Sequence, residues 1–337
     1  MRSGARPGKV RAGPPITWSV MRPDRLLILI VSVVYAAGPT ACTGSPVPPV
    51  FSQASPGASA ATSGDLLYVA STGGNVFLFA YPSGGFAGEF TIASGVTAWG
   101  ACADRAGNVF ITVDVGSTSS EIYEYAHDGT TPTAILSNDG YVALDCASDP
   151  TTGNLAVVSA DASGKSDIAI YADARGTPNR YYHSNMNFES CSYDGHGNLF
   201  ADGSGMDQLT ELAAGAKTFK VVPLNEDLIR PGGIVWDGQD LAIKYGGFYP
   251  KNSGIARVEI ADGKAKVASN IGLKGLANTG ATFAIEDGAL LDTGGQAIDQ
   301  VGVWNYPAGG KVTKILRARH AKGQTFYGIA LSVASHR

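Results

Sequence analysis

Short apolar runs alternate with polar turns along most of the chain, and similar turn residues precede each run. Each run follows a turn of Gly, Asp, Asn or Ala, as in "DRAGNVFITVDV" at Asp104–Val115 and "DGHGNLFADGSG" at Asp194–Gly205. Such runs begin at Leu66, Val109, Leu155, Leu199, Leu241 and Leu290. Short apolar runs bounded by turn residues are typical of strands, so the pattern predicts an all-β protein.

A second landmark follows each run, an alternating segment such as "FLFAYPSGG" or "VGVWNYPAGG". The six copies advance by 44, 46, 41, 48 and 46 residues when they are aligned on Tyr81, Tyr125, Tyr171, Leu212, Ile260 and Tyr306. A period in this range indicates a repeat architecture, and four short strands per period make one propeller blade. In the second repeat the predicted strands are "WGACAD", "VFITVD", "EIYEY" and "TPTAIL". The sequence therefore predicts a six-bladed β-propeller of four-stranded blades.

The two ends of the repeat array complement each other. The first repeat begins at "DLLYVA" with a second strand and has no first strand before it. The segment "FYGIALSV", Phe326–Val333, matches the first-strand pattern of "AWGACAD" and "PGGIVWD" and has no second strand after it. We therefore predict that it pairs with Leu66–Ala70 in blade one and closes the ring, which removes the open sheet edges.

The N-terminus has a different pattern. Arg22 and Arg25 precede an apolar run, Leu26–Ala37, and small residues follow it, which is a secretory signal pattern. The run is shorter than the roughly 20 residues that a membrane span needs. We expect a signal or targeting segment at 1–42, a Pro/Ser/Ala-rich tether at 43–63 and the propeller at 64–337. The predicted location is extracytoplasmic: secreted, periplasmic or lipid-anchored at the cell envelope.

The segment "TAC" at Thr40–Cys42 resembles the bacterial lipoprotein processing box, which makes Cys42 a lipidation candidate. Pro39 stands where that box usually has Leu, so ordinary signal-peptidase cleavage is the alternative. Membrane contact is expected only through such a lipid anchor. The net charge of −4 argues against the basic face that nucleic-acid binding requires, so no nucleic-acid partner is expected. A monomer is expected.

The phrase "GNVFITVD" after an apolar strand ending in Asp resembles the NHL-repeat β-propellers over about residues 64–335. More narrowly, "CASDPTTGNLAVVSA", "IYEYAHDG", "PGGIVWDG" and "VGVWNYPAGG" resemble bacterial secreted propellers, often lipoproteins, that have no assigned activity. The resemblance implies a fold and leaves the function open, because propellers host unrelated chemistries.

Cys102, Cys146 and Cys191 are spaced by the repeat period, so they occupy equivalent places on three successive first strands. We favour three small buried hydrophobic residues over a metal site, since no CxxC pair is present. A disulfide would require Cα atoms within about 7 Å, and the odd count leaves one thiol free in any case.

Candidate site residues lie where the chain enters the first strands, and they predict a polar funnel with an aromatic rim. The funnel candidates are Trp99, Asp145, His183, Glu189, Arg230, Asn278 and Tyr327. The favoured interpretation is a non-enzymatic binding module or scaffold without a cofactor, whose ligand is a protein, a glycan or a small molecule. The alternative follows from a similarity of residue type to gluconolactonase-type and streptogramin-lyase-type propellers. It is a metal-dependent lactonase- or lyase-like enzyme in which Asp145, Glu189 and Asn278 hold Ca²⁺.

Overall fold

A computed structural model describes residues 64–116, 118–205, 208–246, 253–276, 282–293, 299–318, 321 and 323–334. Within these residues the protein is all-β, with 24 strands and a single 3₁₀ turn at Ala172–Ala174. No helix in the described ranges is long and apolar enough to cross a membrane. The predicted signal segment at 1–42, with Cys42, and the tether at 43–63 lie outside the described residues.

The strands form sets of four in which sequence neighbours pair antiparallel. In the first set, strand β24 (Phe326–Ser332), from the C-terminal end, lies beside β1 (Leu66–Ser71), which is followed by β2 (Asn75–Ala80) and β3 (Phe86–Thr91). The pairing of β1 with β24 aligns Leu67 with Leu331 and Val69 with Ile329. The last described strand of the chain thus lies beside the first.

Three further sets are separate four-stranded antiparallel sheets. The second set is β4 (Thr97–Ala103), β5 (Val109–Gly116), β6 (Ser119–Tyr125) and β7 (Pro132–Asp139). The third set is β8 (Tyr141–Ser148), β9 (Leu155–Asp161), β10 (Ser166–Tyr171) and β11 (Asn179–Tyr181). The fourth set is β12 (Met186–Tyr193), β13 (Leu199–Gly205), β14 (Leu209–Leu212) and β15 (Lys220–Val221).

The last two sets share one eight-stranded sheet, where the sequence predicts two separate sheets. The fifth set is β16 (Ile234–Trp236), β17 (Leu241–Tyr245), β18 (Gly254–Ala261) and β19 (Lys264–Lys274). The sixth set is β20 (Phe283–Glu286), β21 (Ala289–Thr293), β22 (Gln300–Asn305) and β23 (Gly309–Arg317). Strand β19 runs past its pairing with β18, so Leu273 and Lys274 pair parallel with β23.

The recurring turn phrase has a hydrogen-bonding cause. The Asp104 carboxylate, just after β4, accepts bonds from the backbone N–H groups of Ala106 and Asn108, and the Asn108 amide donates to it at 2.8 Å. Asp194 and Asn198 make the same three kinds of contact after β12. Such Asx turns reverse the chain at low cost, because a side chain replaces a backbone partner. The repeated phrase is therefore a device for the turn from each first strand into its second strand.

The apolar core lies between neighbouring sets. Each buried cluster combines residues from two sets, as where Phe110 in β5 and Val157 in β9 share one cluster. The cluster that contains Leu67 and Phe77 of the first set also contains Leu291 and Val301 of the sixth. Sheets that are buried on both faces explain why the second strands read as continuous apolar runs. The architecture is a multi-sheet all-β fold consistent with a β-propeller.

Candidate functional site

The first strand of each set contacts the first strand of the next. We call β4, β8, β12, β16, β20 and β24 the first strands. A disulfide joins Cys102 in β4 to Cys146 in β8. Ser190 in β12 donates to Asp145 in β8 at 2.5 Å and accepts from the backbone N–H of Ile234 in β16 at 3.1 Å. The hydroxyl of Thr282, next to β20, donates to a carbonyl of β24.

Two glycines allow three of these backbones to meet. A Cβ atom placed on Gly100 would lie 2.6 Å from Cα of Asp145, and one on Gly328 would lie 2.7 Å from the carbonyl carbon of Gly100. Strands β4, β8 and β24 therefore touch backbone to backbone at this level, which we call the constriction. A side chain at either glycine would push the strands apart.

A cavity of about 430 Å³ opens where the first strands end, and all six of them line it. Its residues begin at the constriction, with Asp145 and Ser190, and end near the turns, with Arg105 and Glu286. A volume of this size lies within the usual range for small-molecule sites. Among the candidates that the structure describes, Asp145 is the one that lines the cavity, and most of the others lie at the strand-entry side of the constriction.

β-Bulges recur in four first strands at one level. The register shifts between Ala98 and Ala101 in β4, between Ala143 and Asp145 in β8 and between Phe188 and Ser190 in β12. A matching shift separates β24 from β1 and brackets residues 327 and 328. Bulges re-aim side chains next to functional sites. The candidates Trp99, Glu189 and Tyr327 all lie within these bulges.

Trp99 and Tyr327 form an aromatic pair across neighbouring first strands. Their ring centroids lie 4.7 Å apart with an interplanar angle of 45°. The Trp99 indole also donates a hydrogen bond to Asp114 at 2.6 Å. Burial raises the pKa of Asp114, and the indole bond opposes this rise. The structure therefore brings together two of the residues predicted for the aromatic rim.

Glu189, Arg230 and His183 lie on the strand-entry side. Glu189 is an exposed residue of β12. Loss of solvent around its carboxylate raises its pKa, while a hydrogen bond from Ser204 and the charge of Arg230 lower it. His183 accepts a long bond from the N–H of Asn185. Asn278 lies outside the described residues. Glu189 and Arg230 are thus electrostatic neighbours.

Asp145 belongs to a buried acidic cluster. Burial raises its pKa to about 7, against the lowering effect of the Ser190 hydroxyl and nearby backbone N–H groups. Asp202 is fully buried, and burial, Glu189 and Asp145 in that order raise its pKa well above the ordinary value, with Gly233 and Ser190 offsetting only part of the rise. Burial therefore favours the neutral form of both carboxyl groups over the ionised form. No group of three or more His, Cys, Asp or Glu side chains suited to a metal ion occurs in the described ranges.

The cysteines differ from their sequence-based interpretation. Cys102 and Cys146 form a disulfide with Cα atoms 5.6 Å apart, and both line the cavity. Reading them as isolated buried hydrophobic residues was wrong, because neighbouring first strands approach closely enough for a bridge at this level. Cys191, at the equivalent place on β12, is a buried free thiol. Burial, Asp145 and Asp202 raise its pKa, so it is a poor nucleophile.

A second polar-aromatic group lies beside the start of β8. The Arg180 guanidinium is centred 3.6 Å from the Tyr141 ring and forms an ion pair with buried Asp167 at 2.9 Å. Tyr141 also shares a hydrogen bond with Tyr182, whose ring carries Lys165 at 4.7 Å. Such cation–π contacts fix the rings in place. Aromatic side chains thus lie at strand entry both in the pair Trp99 and Tyr327 and, in the third set, at Tyr141 and Tyr182.

Sequence reasoning found the strand-entry residues and missed the cavity, the constriction and Asp202. One signal was available for the constriction, since an aromatic residue precedes Gly in both "AWGACAD" and "FYGIALS". The cavity carried no local signal, because residues from six distant segments line it. Asp202 stands in the "LFADG" run, where nothing local marks it as a neighbour of Asp145.

No protein-family profile matches the chain, and no curated protein matches it. Solved structures do resemble it. A protein of unknown function from Bacteroides caccae covers 80% of this chain and 99% of its own, with 13% identity and a TM-score of 0.58. The major Malassezia sympodialis allergen Mala s 1 covers 68% of this chain and 83% of its own, with 16% identity and a TM-score of 0.53. At these identities the likeness concerns the fold alone: the chain shares a multi-sheet all-β architecture with both proteins.

Proposed function

We propose that this protein is an extracytoplasmic six-bladed β-propeller that acts as a small-molecule binding module without catalysis. The ring is supported by the six four-stranded sets and by the apolar cluster that the sixth set shares with the first. Further support comes from the end of β24, where the Ser332 hydroxyl donates to the carbonyl of Gly107 and also bonds His127 at 2.7 Å. These contacts tie the C-terminal strand to the second set as well as to the first.

The disulfide supports the location outside the cytoplasm. Disulfides persist in oxidising compartments and are rare in the cytosol, where thiols are kept reduced. The bridge between Cys102 and Cys146 joins two repeats, and the apolar run at Leu26–Ala37 has the features of a secretion signal. Both observations favour an envelope or secreted protein, and Cys42 stays the candidate for lipid attachment.

The observation that carries the binding function is the cavity of about 430 Å³ at the ends of the first strands. Its lining combines apolar and polar side chains in comparable measure, so a ligand could find both apolar contact and hydrogen-bonding partners there. Asp145 and Ser190 are bonded to each other, while the charged side chains of Arg105 and Glu286 lie near the turns. None of these features requires a chemical step, so binding is the simplest function that the geometry supports.

The binding function is tested by filling the cavity. We would screen uncharged, anionic and cationic small molecules by thermal shift on the wild-type protein and on Ser148→Trp, whose side chain would enter the cavity. Compounds that raise the melting temperature of the wild type should have little effect on the variant, because a ligand stabilises only the state that binds it. Thr177→Trp, at an exposed position, is the matched control. Equal stabilisation of wild type and Ser148→Trp by every active compound would place binding elsewhere.

A metal-dependent lactonase- or lyase-like enzyme is the second candidate, and one observation favours it. The carboxylates of Asp145 and Glu189 both raise the pKa of Asp202, so three acids lie near one another. Calcium titration separates the candidates. The binding module predicts no change in melting temperature at millimolar calcium, whereas a rise that is lost in Glu189→Gln would favour the enzyme.

A further inference from the structure

The cavity at the ends of the first strands has an unequal charge distribution. Four charged residues line it, namely Asp104, Arg105, Asp145 and Glu286. The oxygens of the Asp104 carboxylate accept hydrogen bonds from Ala106 and Asn108 within its own turn. Asp145 is buried and holds the Ser190 hydroxyl. Asp104 keeps its negative charge but its oxygens are bonded within the turn, so the charged groups left to bond a ligand directly are Arg105 and Glu286.

Arg105 is the cation of this lining, and it is exposed. Within the described residues it has no ion-pair partner, in contrast to Arg175 with Glu124, Arg180 with Asp167 and Arg257 with Asp237. A guanidinium presents a rigid fork of donors that matches a carboxylate. An arginine without an ion-pair partner at the mouth of a cavity is therefore suited to bind an anion.

Apolar side chains form one part of the walls below Arg105. Ala103 and Ala147 border the disulfide on β4 and β8, while Trp236 and Leu331 stand on β16 and β24. The constriction at Gly100 narrows the inner end, since the backbones of β4, β8 and β24 touch there. A ligand must therefore be short, with an apolar body and its charge at one end.

Glu286 limits the charge of the ligand. Its carboxylate lines the same cavity, and burial, Asp287 and Asp65 in that order raise its pKa. An anion near one arginine and one carboxylate gains little from a second negative charge, because the second charge has no cation to meet. A monoanion fits this lining better than a phosphate ester does.

We propose that the cavity binds a small organic monocarboxylate, with its charged group paired to Arg105 and its apolar body between the Cys102–Cys146 disulfide and Trp236. This inference rests on the proposed binding function and adds the ligand class. It makes Arg105 the residue that selects for charge and makes the cavity walls the part that selects for size.

Three probes of one shape test the inference: benzoate, benzamide and benzylammonium. Binding is followed by the fluorescence of Trp236, with Trp236→Phe identifying the signal, and by thermal shift at millimolar probe. We expect benzoate to bind more tightly than benzamide by about tenfold to a hundredfold, since a hydrogen bond to a charged group contributes that much. Benzylammonium should bind most weakly.

Arg105→Gln should lower the affinity for benzoate by the same factor and leave benzamide unchanged. Arg317→Gln, an exposed arginine of β23 that does not line the cavity, is the matched control and should bind benzoate like the wild type. If all three probes bind equally, if Arg105→Gln retains the benzoate affinity, or if neither benzoate nor a set of aliphatic monocarboxylates binds, the inference is wrong. Binding of benzamide or benzylammonium that is lost in Ser148→Trp would then leave the binding function standing, whereas no binding of any compound would remove both.

Discussion

Asp145 is a carboxyl group held in a place that favours its neutral form. Burial raises its pKa from 3.8 to about 7. Between those two values the folded state binds more protons than the unfolded state, so the free energy of unfolding decreases as the pH rises through this window and levels off above it. Three pKa units correspond to at most about 4 kcal/mol.

Asp145→Asn should reduce this pH dependence, because the amide keeps an acceptor for the Ser190 hydroxyl and cannot ionise. Urea unfolding at about pH 5 and about pH 8 measures it, and the loss of stability between the two should be smaller in the variant than in the wild type. Asp161→Asn, at an exposed turn, is the control and should retain the wild-type decrease. An unchanged slope in Asp145→Asn would mean that this carboxyl is ionised in the folded protein.

Gly100 acts by lacking a side chain. Gly100→Ala would place a methyl group 2.6 Å from Cα of Asp145, closer than real atoms approach, so two first strands must separate. We expect a loss of about 1 to 3 kcal/mol in the free energy of unfolding, the usual cost of overpacking. Gly116→Ala, with no atom within 4 Å of the added methyl, is the control and should change it by less than about 0.5 kcal/mol. Chemical denaturation of both variants measures the difference, and equal stabilities would contradict backbone contact at the constriction.

At the scale of elements, the disulfide ties β4 to β8 across 44 residues of sequence. Closing a loop of that length restricts the unfolded chain and contributes about 4 kcal/mol in the chain-entropy account. The second and third sets are also held by the cluster around Phe110 and Val157, so the bridge adds to an interface that packing already forms.

The double variant Cys102→Ser/Cys146→Ser should lose roughly this stability and should no longer respond to reductant. Thermal unfolding with and without dithiothreitol measures both effects. Cys191→Ser should keep the response of the wild type to reductant, since its thiol is not bridged. A double variant as stable as the oxidised wild type would show that packing alone holds these two strands.

The local sequence pattern predicted where strands begin and end, but it did not always predict which strands pair. The strands of the second set, β4 to β7, overlap the segments that alternation and turns predict and differ from them by a few residues at the ends, because each is bounded by its own turn chemistry. The joining of β19 to β23 was not predictable from the sequence, since it depends on where two distant outer strands end. The bulge at Glu189 was not predictable for the same reason, because a bulge is a property of a pair of strands.

At the scale of the whole molecule, the contact between the two ends of the described fold decides whether the sheets form a ring. The N–H of Ala334 donates to the Asp65 carboxylate at 2.9 Å, so the two ends of the described fold lie side by side. Removing β24 would leave one edge of β1 unpaired and would uncover Phe77, which packs on Phe326. An exposed apolar edge of that kind aggregates.

Two chain variants test the closed ring. Truncation before Phe326 should give an aggregated or unfolded protein, judged by size-exclusion chromatography and circular dichroism. A circular permutant that joins Ala334 to Asp65 and opens the chain at the exposed turn around Gly140 should fold with near-native stability, because every strand pair is retained. A soluble, cooperatively folded truncation would argue against a ring that depends on its last strand.

The sequence alone determined the strands, the repeat period and the turns, because alternation and Asx turns such as the one at Asp104 act over a few neighbouring residues. It also placed Trp99 and Tyr327 at equivalent positions, where their rings contact each other at an angle of 45°. Only the tertiary structure decided that Cys102 and Cys146 are bridged, that Asp145 and Asp202 are neighbours and that Arg105 stands at the mouth of a cavity. These relations depend on the distances between first strands, which the packing of all the sheets sets together and no single segment encodes.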